Sequence, residues 1–201
     1  MNKPSLKKFV YLASQSPRRS QLLAQIGVDF KLLLATTDED FESLEDTIQG
    51  EAPLAYVKRV TGLKLDAAVH RLKLRGLPKA PVLCADTTVA LGRQILGKPK
   101  DAQDAIAMLQ SLSGQTHRVL TAVALASGRR RISCVSVSKV TFATMKLADI
   151  KAYVASGEPM GKAGAYGVQG LAAAYISDIK GSYSGIMGLP LYETSELLKC
   201  I

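Results

Sequence analysis

The sequence contains no tryptophan, and aromatic residues make up only 5% of it. Platforms that grip single-stranded nucleic acid by stacking bases need more aromatic surface than this. Histidine is nearly absent too: His70 and His117 are the only two, and neither has a cysteine or a second histidine at ligand spacing. A zinc site is therefore not expected. The three cysteines, Cys84, Cys134 and Cys200, are odd in number and unpaired in spacing, which reads as reduced thiols in a cytoplasmic compartment. Cys84 has no evident activating partner, and no Ser-His-Asp ordering stands out. No apolar run approaches the roughly 18 residues that span a bilayer. The basic start MNKPSLKK leads only to the short apolar stretch Phe9 to Ala13, too short for the apolar region of a signal peptide. Low-complexity tracts and fixed-period repeats are also missing.

Acid is in deficit: 26 Lys and Arg face 17 Asp and Glu, for a net charge of +9. Such a surplus suits an anionic partner, either nucleic acid or a phosphorylated small molecule, and the poverty in aromatics favours the second. With 201 residues, 47% hydrophobic and 21% charged, the chain has ordinary globular composition and reads as one domain over residues 1–201.

Strand and helix signals interleave throughout. Phe9 to Ala13 reads as a buried strand. Ser16 as N-cap, Pro17 at the first helical position, and Leu22, Leu23 and Ile26 at helical spacing predict a helix that stops at Gly27. A strand is expected at Phe30 to Ala35, then an acidic loop with Asp38, Glu39, Asp40 and Glu42. Pro53 opens a long helix to about residue 73, and Val82 to Ala85 begins a buried strand that Asp86 ends. A loop punctuated by Gly92 and Gly97-Lys98-Pro99 leads to a helix over about 101–112. Strands at about 118–126 and 132–143 flank a hairpin turn at Ser127-Gly128-Arg129. A short helix near 147–156, a glycine-rich loop over 161–170, a strand from Leu171 to Ile179 and a terminal helix from Pro190 complete the chain. The class is α/β with a mixed sheet.

Four residues, at three places, stand against local rules. Arg18 and Arg19 occupy the first turn of a helix, where the macrodipole disfavours cations by about 0.3–1 kcal/mol each. A bound anion reverses that sign, bringing backbone N–H groups, the Ser14 and Ser16 hydroxyls and two guanidiniums onto one phosphate chain. The alternative is two solvated arginines. Lys64 shares the apolar face of Val57, Val60 and Ala68, with Leu54 and Leu72 beside it, so it either snorkels out or meets an anion. Asp86 follows a buried apolar run, where a carboxylate calls for a cation or a proton. It either binds Mg²⁺, acts as general base towards water, or caps the turn through Thr87 or Thr88. Lys98 sits on a loop as a weaker phosphate contact, and Lys162 and Gln169 flank GKAGAYGVQG. The glycines there, at 161, 164 and 167, allow close approach to a ligand. His117 reads as a strand end, and Arg129-Arg130-Arg131 as a solvated tip.

Taken together, LASQSPRR (12–19), ADTTV (85–89), GKP (97–99), LSGQTHRVLTAV (112–123), KAGAYGVQG (162–170) and GLPL (188–191) resemble the Maf family of nucleotide pyrophosphatases, in order over nearly the whole chain. The resemblance implies a Maf/Ham1-like fold: a twisted mixed sheet with flanking helices and a nucleotide cleft between two lobes. It implies hydrolysis of a nucleoside triphosphate between its α- and β-phosphates with Mg²⁺ or Mn²⁺. In that scheme Asp86 activates water, Lys64 and Lys98 assist, and Ser14, Ser16, Arg19 and Lys162 hold the substrate. Glu39 and Asp86 hold the metal. Arg18, Thr87 and Gln169 resemble the dTTP/UTP type, whereas the 7-methyl-GTP type carries Trp, Gln and Glu at those places. One departure is Gly161, where many members have an acid. The resemblance further implies a homodimer without stable nucleic-acid or membrane partners. One rival is a pyrophosphatase of different nucleotide preference, such as 7-methyl-GTP; the other is a non-catalytic nucleic-acid-binding or cell-division regulator, favoured only by the charge and by the family's association with septum formation.

Overall fold

The β-branched and apolar runs of the sequence pair into one mixed sheet, and the helical periodicities lay helices on both of its faces. The computed structural model describes residues 9–36 and 43–201. Its elements are β1 (Val10–Leu12), α1 (Pro17–Gln25), β2 (Phe30–Leu32), α2 (Pro53–Leu74), β3 (Val82–Leu91), β4 (Gln94–Leu96), α3 (Ala102–Leu112), β5 (Thr116–Ser127), β6 (Arg130–Phe142), α4 (Leu147–Ala155), β7 (Ile176–Lys180), α5 (Tyr183–Met187) and α6 (Leu191–Lys199). Single 3₁₀ turns stand at Ser43–Glu45, Ala163–Ala165 and Leu171–Tyr175. The strand order is β2-β1-β3-β5-β6-β7, with β4 also pairing β3. β1 runs parallel to β2 and β3, and the remaining pairs are antiparallel. This is the expected class of sheet, with helices on both sides.

Several expected boundaries move. The strand thought to end at Asp86 runs to Leu91, so Asp86 lies in mid-strand. Its Asp-Thr-Thr run looks like a strand end only because a buried strand normally lacks polar residues. The strand expected from Leu171 starts at Ile176, after a 3₁₀ turn. β4 and α5 were not expected at all.

Alternation along β3 and β5 divides the sheet's residues between two covers. Val82, Cys84, Ala124 and Ala126 pack under Leu65 and Ala68 of α2. On the other face Leu83, Ala85, Val123 and Leu125 meet Leu22 and Leu23 of α1, while Val89 and Val119 meet α3 and α4 through Leu109, Leu112 and Ile150. Leu12, Leu83, Leu109 and Leu125 are fully buried, each contributing about 1.5–3 kcal/mol of transfer free energy.

His117 is the second residue of β5 and is buried against Phe142 and Tyr166, with Nε2 2.8 Å from the Tyr166 hydroxyl. Its Nδ1 has no hydrogen-bond partner among the described residues. Burial holds its pKa down at about 4, against about 6.5 for an exposed imidazole. The unfolded chain therefore binds the extra proton between those values, and stability falls as pH drops from about 6.5 to about 4, by an upper limit of order 3 kcal/mol. Urea midpoints at pH 5 and pH 7 should differ in the wild type and converge in His117→Phe. Equal differences in both proteins would remove His117 as the source.

Candidate active site

A gap in the strand pairing positions the site. β5 covers one edge of β3 from Val82 to Ala90. On the opposite edge β1 pairs only at Val82 and Leu83, and β4 only from Val89 to Leu91. Among the described residues no strand covers Cys84 to Thr88 on that side. A cavity of ≈ 880 Å³ opens there, and Ser14, Ser16, Arg18, Arg19, Lys64, Asp86, Thr87, Lys98, Lys162 and Gln169 all line it. The sequence reading thus converges on one place, apart from Glu39, which lies outside the described residues.

On the α2 side of the sheet, Lys64 meets anions rather than snorkelling. Its neighbours Val57, Val60 and Ala68 are buried as expected, although Leu54 is exposed. The ammonium is 2.5 Å from Asp86 Oδ1 and 2.6 Å from Glu45 Oε1, at 4% residue exposure. Glu45 continues the chain, with Oε2 accepting from Lys98 Nζ at 3.0 Å. Asp86 is not a turn cap; its carboxylate is held by Lys64. Burial pushes the Lys64 ammonium towards neutrality, but the charges of Asp86 and Glu45 outweigh it and leave its pKa raised. Burial likewise works against the Glu45 anion, yet Lys64 and Lys98 hold its pKa below the ordinary carboxylate range. Both shifts favour the charged forms of Lys64 and Glu45.

On the opposite side, α1 delivers Arg19. Its Nε donates to the Gly188 carbonyl at 2.8 Å, Nη1 to Ser14 Oγ at 3.3 Å and Nη2 to Thr87 Oγ1 at 3.2 Å. Gly188 adopts φ 120, a conformation that L side chains rarely take, and so brings this carbonyl to the guanidinium. Thr87 Oγ1 is 3.0 Å from Thr121 Oγ1, which donates to the Gly185 carbonyl at 2.7 Å. Arg19 is therefore held in place from α5 and β5. Ser16 is the N-cap by backbone conformation, without a side-chain cap, and its N–H donates to Ser14 Oγ at 3.2 Å. No acid occupies the first turn of α1.

Arg18 makes no hydrogen bond or ion pair among the described residues, and burial together with Arg19's charge lowers its pKa. Lys162 is lowered by burial and then by Arg18. Arg19 thus acts on Arg18 and Arg18 on Lys162, and cations crowded along a cleft in this way leave it receptive to an anion.

The glycine-rich loop is tied down by the protein itself. Gly164, at φ 70, lies so close to Val89 that an added Cβ would fall 2.8 Å from its Cγ1. Its N–H donates to the Gly97 carbonyl at 3.0 Å, linking this loop to the one that carries Lys98. Glu158 accepts from the Tyr153 hydroxyl and from the Leu171 N–H, both at 2.9 Å, and its backbone carbonyl takes the Lys162 ammonium. The close approaches expected of Gly164 and Gly167 are thus to Val89 and to Lys162 rather than to open cleft, whereas Gly161 faces open space.

Sequence reasoning missed Glu45, Thr121 and the buried, cavity-lining Arg71, whose Nη1 donates to the Leu33 carbonyl at 3.0 Å. Glu45 sits in an acidic run with no periodicity to single it out. Thr121 was within reach, since it falls on the same strand face as Val119 and Val123.

A cation-lined cleft and a strand-borne carboxylate, set on the open edge of a mixed sheet, define a site for a phosphorylated small molecule. Residues 9–201 match the family model for Maf-like protein, and the chain belongs to that family. It is 65% identical over 194 residues to the dTTP/UTP pyrophosphatase of Albidiferax ferrireducens, covering 96% of this chain and 97% of the relative. Identity is 66% over 191 residues to the Polaromonas sp. protein of the same name, with 95% of each covered. It is 58% over 194 residues to that of Cupriavidus metallidurans, covering 96% and 97%. The Staphylococcus aureus Ham1 protein is similar at TM-score 0.44 and 14% identity, over 69% of this chain and 74% of that one, too distant a likeness to add to the family match.

Proposed function

We propose that residues 1–201 form one domain that hydrolyses dTTP and UTP to the nucleoside monophosphate and pyrophosphate. The observation that carries this reading is the cavity in the β3 edge, where Asp86 and Lys64 face the same space as Arg18, Arg19, Lys98 and Lys162. The names of the relatives, dTTP/UTP pyrophosphatases at 58–66% identity, point to the same reaction.

In this reading the phosphate chain lies across the N-terminus of α1. Ser14, Ser16, Arg19 and Lys162 hold it, joined by Lys64 and Lys98, and all of them neutralise charge that builds on the phosphoryl oxygens. A water molecule attacks the α-phosphorus, and the bond from that phosphorus to the oxygen bridging to the β-phosphate breaks. Asp86 takes the water's proton, and pyrophosphate leaves. The donor set suits a hard divalent cation. Asp86 offers carboxylate oxygen, and no group of three or more His, Cys, Asp and Glu among the described residues forms a cage. Such a set matches Mg²⁺ or Mn²⁺, which bind through one or two carboxylates, waters and substrate phosphates. Asp86, with Glu39, would hold the ion. When bound, it supplies Lewis-acid polarisation of the α-phosphoryl oxygen.

Thr87 and Gln169 read the pyrimidine nucleotide together with Arg18. Arg18→Trp is expected to weaken the preference for uridine and thymidine nucleotides, and an unchanged ranking in a nucleotide panel would count against that role. We further infer a cytoplasmic homodimer, without lasting engagement of nucleic acid or membrane. The free cysteines support the compartment, as does the lack of any helix among the described residues long and apolar enough to cross a membrane. The decisive experiment offers purified protein, with Mg²⁺ or Mn²⁺, a panel of normal and modified triphosphates. Pyrophosphate release, highest with dTTP and UTP, is the expected result; release of single phosphates, or none, sinks the reading.

A further inference from the structure

Among the described residues, Glu45 is the one anion inside the cation array that the hydrolytic scheme does not employ. Its Oε1 accepts from Lys64 at 2.6 Å and from Lys98 at 3.3 Å, and its Oε2 accepts from Lys98 at 3.0 Å. Two oxygens on one anionic centre are thus shared between two ammonium groups, as two oxygens of a phosphate would be. The carboxylate is tethered. It ends the Ser43–Glu45 turn, and its own backbone carbonyl accepts from the Tyr56 hydroxyl of α2 at 2.7 Å. A tethered anion faces its partners at an effective concentration that free phosphate does not reach. It is also displaceable: the side chain keeps 29% of its exposure and Lys98 keeps 57%, so Glu45 can turn to water without burying a charge.

We propose that Glu45 is a specificity-determining residue, an internal competitor for the phosphate site that admits a polyphosphate chain and turns away single phosphates. The inference rests on the pyrophosphatase reading, since it assigns Lys64 and Lys98 to the phosphate chain. A lone phosphate or a nucleoside monophosphate gains only what Glu45 gives up. A triphosphate also engages Arg18, Arg19 and Lys162 around the same cavity, and that surplus expels the carboxylate. As pyrophosphate departs, Glu45 closes back onto the lysines and the monophosphate loses its hold.

The test is calorimetric binding of inorganic phosphate, UMP and the non-hydrolysable α,β-methylene analogue of UTP, with Mg²⁺ present. The proteins are wild type, Glu45→Gln, Glu45→Ala and the remote surface control Glu196→Gln. Each folded Glu45 variant should bind phosphate, UMP and the analogue more tightly than wild type by a similar factor of roughly tenfold or more, because each ligand that takes the two lysines displaces the same charge-assisted pair and meets the same cost. Glu196→Gln, which loses the same charge from an exposed pair with Lys199, should leave all three unchanged. A gain confined to the analogue, unchanged affinities, or weaker binding in the Glu45 variants would each overturn the competitor role. Failure of the wild type to bind the analogue at all would instead overturn the pyrophosphatase reading on which the role stands.

Discussion

Asp86→Asn should lower turnover by about a hundred- to ten-thousand-fold, the range that a positioned general base supplies. The amide keeps an oxygen where Lys64 now donates, at 2.5 Å, and Lys64 retains Glu45 as its counter-charge, so the cleft should keep its shape. What the amide cannot do is take a proton from water. Binding of the α,β-methylene analogue of UTP should stay within roughly threefold of wild type, a shift of well under 1 kcal/mol. Steady-state pyrophosphate release and calorimetry separate the two effects. Turnover close to wild type in the variant would take the base away from Asp86.

Lys64→Met should cost stability as well as activity. The ammonium lies between two carboxylates, and its loss removes the cation that separates Asp86, at 11% side-chain exposure, from Glu45, which keeps Lys98. Breaking a buried pair from one side costs about 3–5 kcal/mol. Glu45 can relax towards solvent, so the lower end applies, equivalent to a drop in Tm of roughly 10 °C for a chain of this size. The double variant Lys64→Met/Asp86→Asn should recover part of the loss, because the orphaned carboxylate is then neutral. Calorimetric melting of the four proteins gives the coupling. A Lys64→Met midpoint equal to wild type would mean that the ion pair contributes nothing to the fold.

The residues that carry the proposed chemistry were legible where they broke a local rule. Arg18 and Arg19 at a helix N-terminus, Lys64 on an apolar helix face and Asp86 after an apolar run each cost free energy unless something pairs with them, and such a cost can be read from sequence. All four line one cavity. Glu45 was not legible, because an acid in an acidic loop breaks no rule; only the tertiary course of the chain brings it to Lys64 and Lys98. The limits of β3 were misjudged for a related reason. Asp-Thr-Thr looks like an exit from a strand unless the cleft that the three residues serve is already known. β4, a three-residue strand, forms a hairpin with β3 across Gly92 and Arg93, and it is too short for any periodicity to register. α5 contains Ser184 and Gly185, both poor helix formers, and is set by Ser182, whose hydroxyl accepts from the Gly185 N–H.

Asp86 and Thr87 are consecutive on β3, and consecutive strand residues point to opposite sides. One therefore looks towards Lys64 and Glu45, the other towards Arg19 and Thr121. On the proposed function the sheet acts as a partition between two workshops: the acid that readies water is held from α2, and the guanidinium that grips the substrate is held from α1 and α5. On that reading, mutational drift on the gripping side can retune which nucleotide is accepted without touching Asp86, so one scaffold can serve a series of substrates with a single hydrolytic core.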